Sequence, residues 1–309
     1  MRRTIGIFLL IALITTLTTL GCNSSSNQDT SAAIPTKPPA DNIVESLPTE
    51  EQRDTPDENI EDFSPENFDR PTEITNQWLP LVPGRQYVFE GTTEEAGIVT
   101  NHQVIFTVTD LTTVIDGVES VVIWDRDFRE GELVETELAF FAQDNDGNVW
   151  RMGEYPEVYE NGELVEAPAW ISGLKNAVAG IMMPDDPSLD SSSYSQGWGP
   201  AVDFTDRAQI DQVGLDICVE AGCYENVIVT AEFSRSEPNA FQLKYYASGI
   251  GNIKVDWRGD DATRETLDLV EIRILSTEEM DQIRASALLL EQRAYQNSKE
   301  VYDQTDPAK

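Results

Sequence analysis

The stretch "TVIDGVESVVIWDRDFREGELVETELAFFAQDNDGNVWRMGE", Thr113 to Glu154, decides the fold class. Short runs of β-branched and aromatic residues alternate in it with the pairs Asp116-Gly117, Glu130-Gly131 and Asp146-Gly147. Such pairs favour tight hairpin turns, because glycine adopts a positive φ without steric cost and aspartate tolerates one. The stretch therefore predicts a β-meander, in which consecutive antiparallel strands are joined by hairpins.

The same pattern extends in both directions along the chain. Asn161-Gly162 predicts a further turn, and the later runs "ENVIVTAEF", "FQLKYYAS", "GNIKVDW" and "TLDLVEIRIL" are typical strands. Roughly ten short strands without intervening helices favour an antiparallel fold. We predict a mainly β domain over residues 71–275 that forms a barrel, half-barrel or sandwich.

Residues 276–309 are predicted to form a C-terminal amphipathic helix and tail. Ser276 to Glu279 match a capping box, which marks a helix start. Apolar residues then recur three and four apart on one face: Met280, Ile283, Ala287, Leu290 and Ala294. This face packs on the β-domain, belongs to a solvated extension, or binds a partner; we expect the first two more than the third.

The N-terminus has the order of a secretory signal peptide over residues 1–21. Arg2 and Arg3 precede an apolar run from Ile5 to Leu20, which is shorter than the ~20 residues of a spanning helix. The pair Gly21-Cys22 ends the run and resembles the lipobox of bacterial lipoproteins, although Thr19 stands where that motif usually has leucine. An ordinary secreted protein with a chance cysteine is the alternative.

The lipobox resemblance implies that Cys22 carries lipid and attaches the protein to the cell envelope. Two or three acyl chains anchor a protein stably, whereas one does not. Asn23, rather than aspartate, follows the cysteine. In lipoproteins this implies the outer membrane, at its periplasmic or outer face, if the cell is Gram-negative.

Residues 22–70 are predicted to be a disordered acidic linker. They are rich in Ser, Asn, Pro and acids and contain few large apolar residues. Burial of so little apolar surface cannot offset the loss of chain entropy, so we expect an extended leash rather than an interaction tail.

Cys218 and Cys223 are the remaining cysteines, within "CVEAGC". In an oxidising compartment they suit a disulfide that closes a hairpin. A zinc site would need two more ligands, and the sole histidine, His102, lies far away in sequence. We therefore predict a disulfide rather than a free or metal-bound pair, and we expect no cofactor.

Common catalytic motifs are absent, and any histidine-dependent triad would have to use His102. The formal net charge of −35 falls to −37 if Arg2 and Arg3 leave with the signal peptide. Such a charge disfavours nucleic acid as a partner, because phosphate binding needs clustered Lys and Arg. It attracts cations, of which calcium suits carboxylate ligands best.

Asp144, Asp146 and Asn148 in "DNDGN" are weak calcium candidates. An EF-hand alignment would place Ala142 and Gly153 at positions that need acidic ligands, so that motif fails. The irregular segment before Pro200 carries Tyr194 and Trp198, and a long loop is often functional. We predict that these two aromatic residues form a ligand-binding surface.

The β-domain resembles a group of uncharacterised bacterial secreted proteins and lipoproteins. The resemblance rests on "PLVPGRQYVFEG", "TVIDGVESVVIWDR", "FFAQDNDGNVWRMGE", "GIMMPDDP" and "KYYASGIGNI". It implies a β-domain and an envelope location. At fold level the predicted sheet is also similar to the curved half-barrel of lipoprotein carriers.

Two classes of function remain open. The first is a lipid-anchored, non-enzymatic module that binds an envelope protein, a glycan or an apolar ligand. The second is a polysaccharide hydrolase or lyase that uses carboxylate and tyrosine acid-base groups. We favour the first, because the common catalytic motifs are absent. An apolar cavity in the β-domain would support binding, whereas an open cleft of convergent carboxylates beside aromatic residues would support catalysis.

Overall fold

The computed structural model describes residues 60–309, so Cys22, the signal peptide and most of the predicted linker lie outside the described residues. The strands in this range are β1 (Arg85–Glu95), β2 (Ile98–Ile115), β3 (Val118–Arg129), β4 (Glu132–Gln143), β5 (Val149–Glu160), β6 (Glu163–Glu166), β7 (Trp170–Ile171), β8 (Val178–Met183), β9 (Tyr194–Ser195), β10 (Gly197–Trp198), β11 (Arg207–Val219), β12 (Gly222–Phe233), β13 (Ala240–Ala247), β14 (Gly251–Gly259) and β15 (Thr266–Ile274). The helices are α1 (Thr277–Asn297) and α2 (Lys299–Tyr302), with 3₁₀ turns at Pro65–Asn67 and Pro200–Val202.

All fifteen strands of residues 60–309 belong to one antiparallel sheet. Its main path runs β10-β8-β5-β4-β3-β2-β1-β15-β14-β13-β12-β11-β9, with β6 and β7 paired to β5. Two strips of the path, β1–β5 and β11–β15, are hairpin meanders, and β1 pairs with β15 to join them. The predicted mainly β antiparallel meander with a C-terminal helix is confirmed.

Most predicted hairpin turns form as expected. Asp116, Glu130 and Asn161 have φ values of 49°, 49° and 52°, and the glycine after each is also at positive φ. The fourth turn differs, because residues 144–148 make a longer loop in which only Gly147 has a positive φ, of 93°. That loop is organised by the Asp144 carboxylate, which accepts the N–H groups of Asp146 and Asn148.

Side chains along each strand point alternately to the two faces of the sheet, and each face carries one large apolar core. On β4, Ala139 and Phe141 belong to the larger core, whereas Leu138 and Phe140 belong to the other. The larger core unites residues from strands far apart in the sheet, such as Val121 of β3 and Ile228 of β12, so it lies on the concave side. The sheet therefore curves around this core, as in a half-barrel or a sandwich.

The second core lies between the outer face of β2–β5 and the C-terminal helices. Ser276 and Glu279 form the predicted capping box of α1. Four of the five predicted face residues are buried, namely Met280, Ala287, Leu290 and Ala294. The fifth, Ile283, is half-buried. The face packs on its own β-domain, because Ala287, Leu290 and Ala294 share a core with β-strand residues.

Residues 60–70, which the sequence assigned to the linker, pack on the domain. Phe63 and Phe68 contact Trp150 edge-on, with ring centroids 5.7 and 6.0 Å away. Glu61 accepts the Ser195 N–H at 2.9 Å. Two aromatic rings bury enough apolar area to hold this short acidic segment in place.

The two edges of the sheet meet through one short segment. The edge strands β9 and β10 are separated only by Gln196, and they pair with β11 and β8 respectively. A Cβ on Gly180 of β8 would lie 2.2 Å from the Gly197 nitrogen, so the backbones are in close contact there. We call Tyr194–Trp198 the seam, since it joins the edges without a continuous ladder.

Candidate functional site

An apolar cavity lies in the concave core of the sheet. Its volume is about 60 Å³. Its walls come from the segment before β1 and from the inner faces of β1, β2, β4, β8 and β13: Leu79, Pro80, Leu81, Tyr87, Phe89, Phe106, Phe141, Met182 and Tyr246. An apolar cavity of about 150 Å³ holds one benzene ring. The cavity therefore accommodates only a few heavy atoms, such as a short aliphatic chain.

Asn76 positions the segment that forms one wall of the cavity. Its side chain is 2% exposed and accepts the N–H groups of Trp78 and Leu79 at 2.8 and 3.0 Å. Its amide nitrogen donates to the carbonyls of Gly147 and Pro184 at 2.9 and 3.2 Å. The two accepted bonds fix the local backbone around Leu79, and the two donated bonds tie this segment to the neighbouring loops.

Two buried cations, Arg151 and Lys244, also line the cavity. Arg151 Nη2 lies 2.7 Å from Glu137 Oε1 and 2.5 Å from Glu154 Oε2. Lys244 Nζ lies 2.6 Å from Glu232 Oε2. Buried charges of this kind are tolerated because each has an opposite partner. We call these five side chains the charged floor; its two cations face three carboxylates.

Arg151 and Glu232 of the charged floor stay ionised at neutral pH. Burial alone would raise the pKa of Glu232, but the charge of Lys244 and the hydrogen bonds from Lys244 and Gln196 together outweigh it and hold that pKa below its usual value. Burial would lower the pKa of Arg151, but the charges of Glu154, Glu137 and Asp206 and the hydrogen bond to Glu137 together outweigh it and raise that pKa. The cavity therefore combines apolar walls with a compensated ionic base.

A second polar cluster occupies the inner side of the sheet at the ends of β2, β3 and β15. His102 Nδ1 lies 3.0 Å from Glu265 Oε1, and Nε2 lies 3.5 Å from Asp127 Oδ2. Burial would lower the pKa of His102, but the hydrogen bonds and charges of these two carboxylates outweigh it and raise the pKa to about 10.

Asp125 belongs to the same cluster. Its pKa is raised to about 7, first by burial and then by the charges of Asp127 and Glu137. The cluster is thus a buried, mutually paired set rather than an open cleft. Within residues 60–309, no three His, Cys, Asp or Glu side chains are placed to hold a metal ion.

The predicted ligand-binding residues Tyr194 and Trp198 both lie in the seam. They are 7% and 5% exposed, so neither forms an exposed surface. Arg235 lies over the Trp198 ring at 5.6 Å, and the Tyr194 hydroxyl is buried without a hydrogen-bond partner. They contribute to sheet closure, and a role in ligand binding stays a prediction.

The calcium candidates have mostly structural contacts. The Asp144 carboxylate accepts four hydrogen bonds, including one from Trp150 Nε1 at 2.7 Å and one from the Asn148 side chain. The Asn148 oxygen accepts the Asp185 N–H at 3.1 Å, and Asp146 is exposed. Asp144 therefore organises the loop that carries Trp150, and calcium binding by the three residues stays untested.

The predicted disulfide between Cys218 and Cys223 is confirmed. The two residues are paired across the β11–β12 hairpin with a Cα–Cα distance of 4.0 Å. At the hairpin tip, the Ala221 N–H donates to the Leu269 carbonyl of β15 at 3.0 Å. The disulfide therefore closes a hairpin that reaches across to a distant strand of the same sheet.

The sequence prediction missed the cavity and its charged floor. A signal is present, since Arg151 and Lys244 occupy inward positions of strands whose other inward residues, such as Val149 and Tyr246, are apolar. A charged residue in phase with a buried stripe indicates an interior ion pair. The partners could not be identified, because they lie on other strands.

No protein-family model matches this chain, and no curated protein does either. Two solved structures are similar. One is a candidate exported protein with a YmcC-like fold from Bacteroides fragilis, with 11% identity and a TM-score of 0.40. The other is a candidate lipoprotein from Parabacteroides distasonis, with 10% identity and a TM-score of 0.35. In each case 64% of this chain and 99% of the other are covered.

Among the described residues, no helix has the length and apolarity needed to cross a membrane.

Proposed function

We propose that this chain is a lipid-anchored cell-envelope protein whose β-domain binds a small apolar ligand and has no enzymatic role. The observation that carries the binding role is the cavity of about 60 Å³ behind Leu81, Phe106 and Met182. Concave, largely apolar cavities with a few polar groups are the usual form of small-molecule sites. Attachment through Cys22 is supported by the signal-like order of residues 1–22.

The arrangement of the carboxylates favours binding over catalysis. The carboxylates of the charged floor, Glu137, Glu154 and Glu232, are each 8% exposed or less and are paired with Arg151 or Lys244. A polysaccharide hydrolase would need two carboxyl groups that face a sugar across an open cleft. Paired and buried carboxylates do not provide one.

A series of normal alcohols of increasing length tests this proposal. The full chain carries Cys22→Ser, so that no attached acyl chain competes for the cavity. Burial of each added methylene should strengthen binding by about 0.8 kcal/mol until the cavity is full, after which the affinity should level off. Titration followed by NMR measures these weak affinities and locates the shifts around Met182.

Two substitutions at one position control for fold. Met182→Phe adds volume to one wall of the cavity and should weaken binding clearly, whereas Met182→Leu nearly conserves volume and should bind as the parent chain does. A chain that binds no alcohol, or that binds equally well with Met182→Phe, would show the proposed binding role to be wrong.

A further inference from the structure

The charges around the cavity limit the ligands that it can take. Arg151 and Lys244 already have carboxylate partners in Glu137, Glu154 and Glu232, so the charged floor holds more carboxyl groups than cations. An acidic head group would enter as a further anion, lose its hydration and meet no unpaired cation. The two basic residues therefore do not make this an acid-binding site.

Two polar atoms on the cavity walls are left without a hydrogen bond. Arg151 Nε is buried and has no partner, and the Tyr87 hydroxyl is buried near Arg85 without a hydrogen bond of normal geometry. Both residues line the cavity. A buried donor without an acceptor is costly, so an oxygen placed beside either donor would be favourable.

We propose that the cavity selects an uncharged, oxygen-bearing apolar molecule, such as an alcohol or an ester, and rejects the corresponding carboxylate. This inference rests on the proposed ligand-binding function and specifies its ligand class. The apolar walls bind the chain, the free donors bind the oxygen, and the compensated floor excludes negative charge.

Three ligands of equal chain length test the selection on the full chain with Cys22→Ser. These are 1-propanol, methyl propanoate and propanoate, which suit the small volume of the cavity, compared at about pH 8, where a carboxylic acid is ionised. We expect the alcohol and the ester to bind, and the carboxylate to bind on the order of tenfold more weakly or not at all. The ester keeps the carbonyl of the acid and removes only its charge.

Two variants test the parts played by the wall and the floor. Tyr87→Phe removes the unpaired hydroxyl and keeps the ring, so 1-propanol should bind a few-fold more weakly while the fold is unchanged. Glu232→Gln removes the negative charge that lies 2.6 Å from Lys244, so binding of propanoate should strengthen relative to 1-propanol. If Glu232→Gln fails to fold, the three-ligand comparison on the parent chain still decides.

The outcomes separate this inference from the proposed function. Binding of 1-propanol and methyl propanoate but not propanoate supports both. Binding of propanoate as tightly as 1-propanol, or more tightly, overturns the selection and leaves the apolar site intact. Failure of all three ligands overturns both.

Discussion

His102 shows how strongly the interior of this sheet acts on a single residue. The side chain is 3% exposed and lies between the carboxylates of Glu265 and Asp127. Burial by itself favours neutral imidazole, but two carboxylates within 3.5 Å of the ring nitrogens favour imidazolium. The residue is thus a structural cation on a strand rather than the base of a catalytic triad.

We predict that His102 stays protonated throughout the neutral range. Its pKa is raised from 6.5 to about 10, so its contribution to the free energy of unfolding is complete below pH 6.5 and lost as the pH rises to about 10. The pKa of Asp125 is also raised, from 3.8 to about 7, so its contribution to the free energy of unfolding is likewise lost as the pH rises through that lower range. Because the chain has one histidine, NMR of the ring nitrogens reports this group without ambiguity.

Asp127→Asn provides the control, since it removes one of the two carboxylates and should lower the pKa of His102. A parent chain whose ring titrates near pH 6.5 would contradict the predicted ion pairing.

At the scale of the element, α1 is held to the sheet by both packing and charge. Arg293 donates to both oxygens of Glu157 at 2.7 to 3.0 Å, and the hydroxyls of Tyr155 and Tyr159 and the amide of Asn297 donate to the same carboxylate. Glu157 itself is fully buried. The helix therefore supplies the positive charge that a buried glutamate on β5 requires.

We predict that Arg293→Ala lowers the free energy of unfolding by about 2 kcal/mol, because it leaves the Glu157 charge buried without its cation. Urea denaturation measures this loss. The matched control is Arg284→Ala on the same helix, which removes ion pairs to Asp110 and Asp281 at the surface and should cost clearly less. Equal losses of unfolding free energy in the two variants would show that the buried Arg293–Glu157 pair stabilises the protein no more than the surface pairs of Arg284.

At the scale of the whole molecule, the seam decides whether the sheet stays curled. Each of its two strands pairs through only two residues. Further contacts come from Gln196, which donates to Glu232 of the charged floor at 3.0 Å and lies 3.5 Å from the Met182 sulfur. Closure of the sheet is thereby connected to the wall and base of the cavity.

We predict that Gly180→Ala destabilises the protein by about 3 kcal/mol, because the new Cβ would lie 2.2 Å from the Gly197 nitrogen and 2.5 Å from the Ser195 carbonyl oxygen. Amide hydrogen exchange should also become faster at the residues of the seam, which measures directly how far the seam loosens. Gly249→Ala is the control: its φ is +75° but its Cβ would meet no atom within 4 Å, so it should cost only about 1 kcal/mol. Equal losses of stability in Gly180→Ala and Gly249→Ala would contradict the predicted importance of the close contact between Gly180 and Gly197.

Features that depend on neighbouring residues could be predicted. The pairs Asp116-Gly117 and Asn161-Gly162 specify hairpins because their residues adopt positive φ wherever they occur. The capping box at Ser276 and the face of α1 follow from spacings of three and four residues. Cys218 and Cys223 meet because the same short hairpin brings them together.

The seam could not be predicted, since strands of two residues leave no periodic pattern. Tyr194 and Trp198 therefore resembled loop residues of a binding surface, and only the meeting of two distant edges explains their burial.

The sequence by itself determined the strand meander, its hairpins, the disulfide and the C-terminal helix, because each is decided by interactions within about twenty residues of chain. The tertiary structure alone decided how the sheet curls, which aromatic residues close it, and which carboxylates neutralise the interior cations. The physical reason is that the alternation of apolar and polar residues along a strand assigns each side chain to one face of the sheet but does not say which residue of another strand it will contact. His102 meets Glu265 only because β1 brings β2 and β15 to opposite sides of one strand.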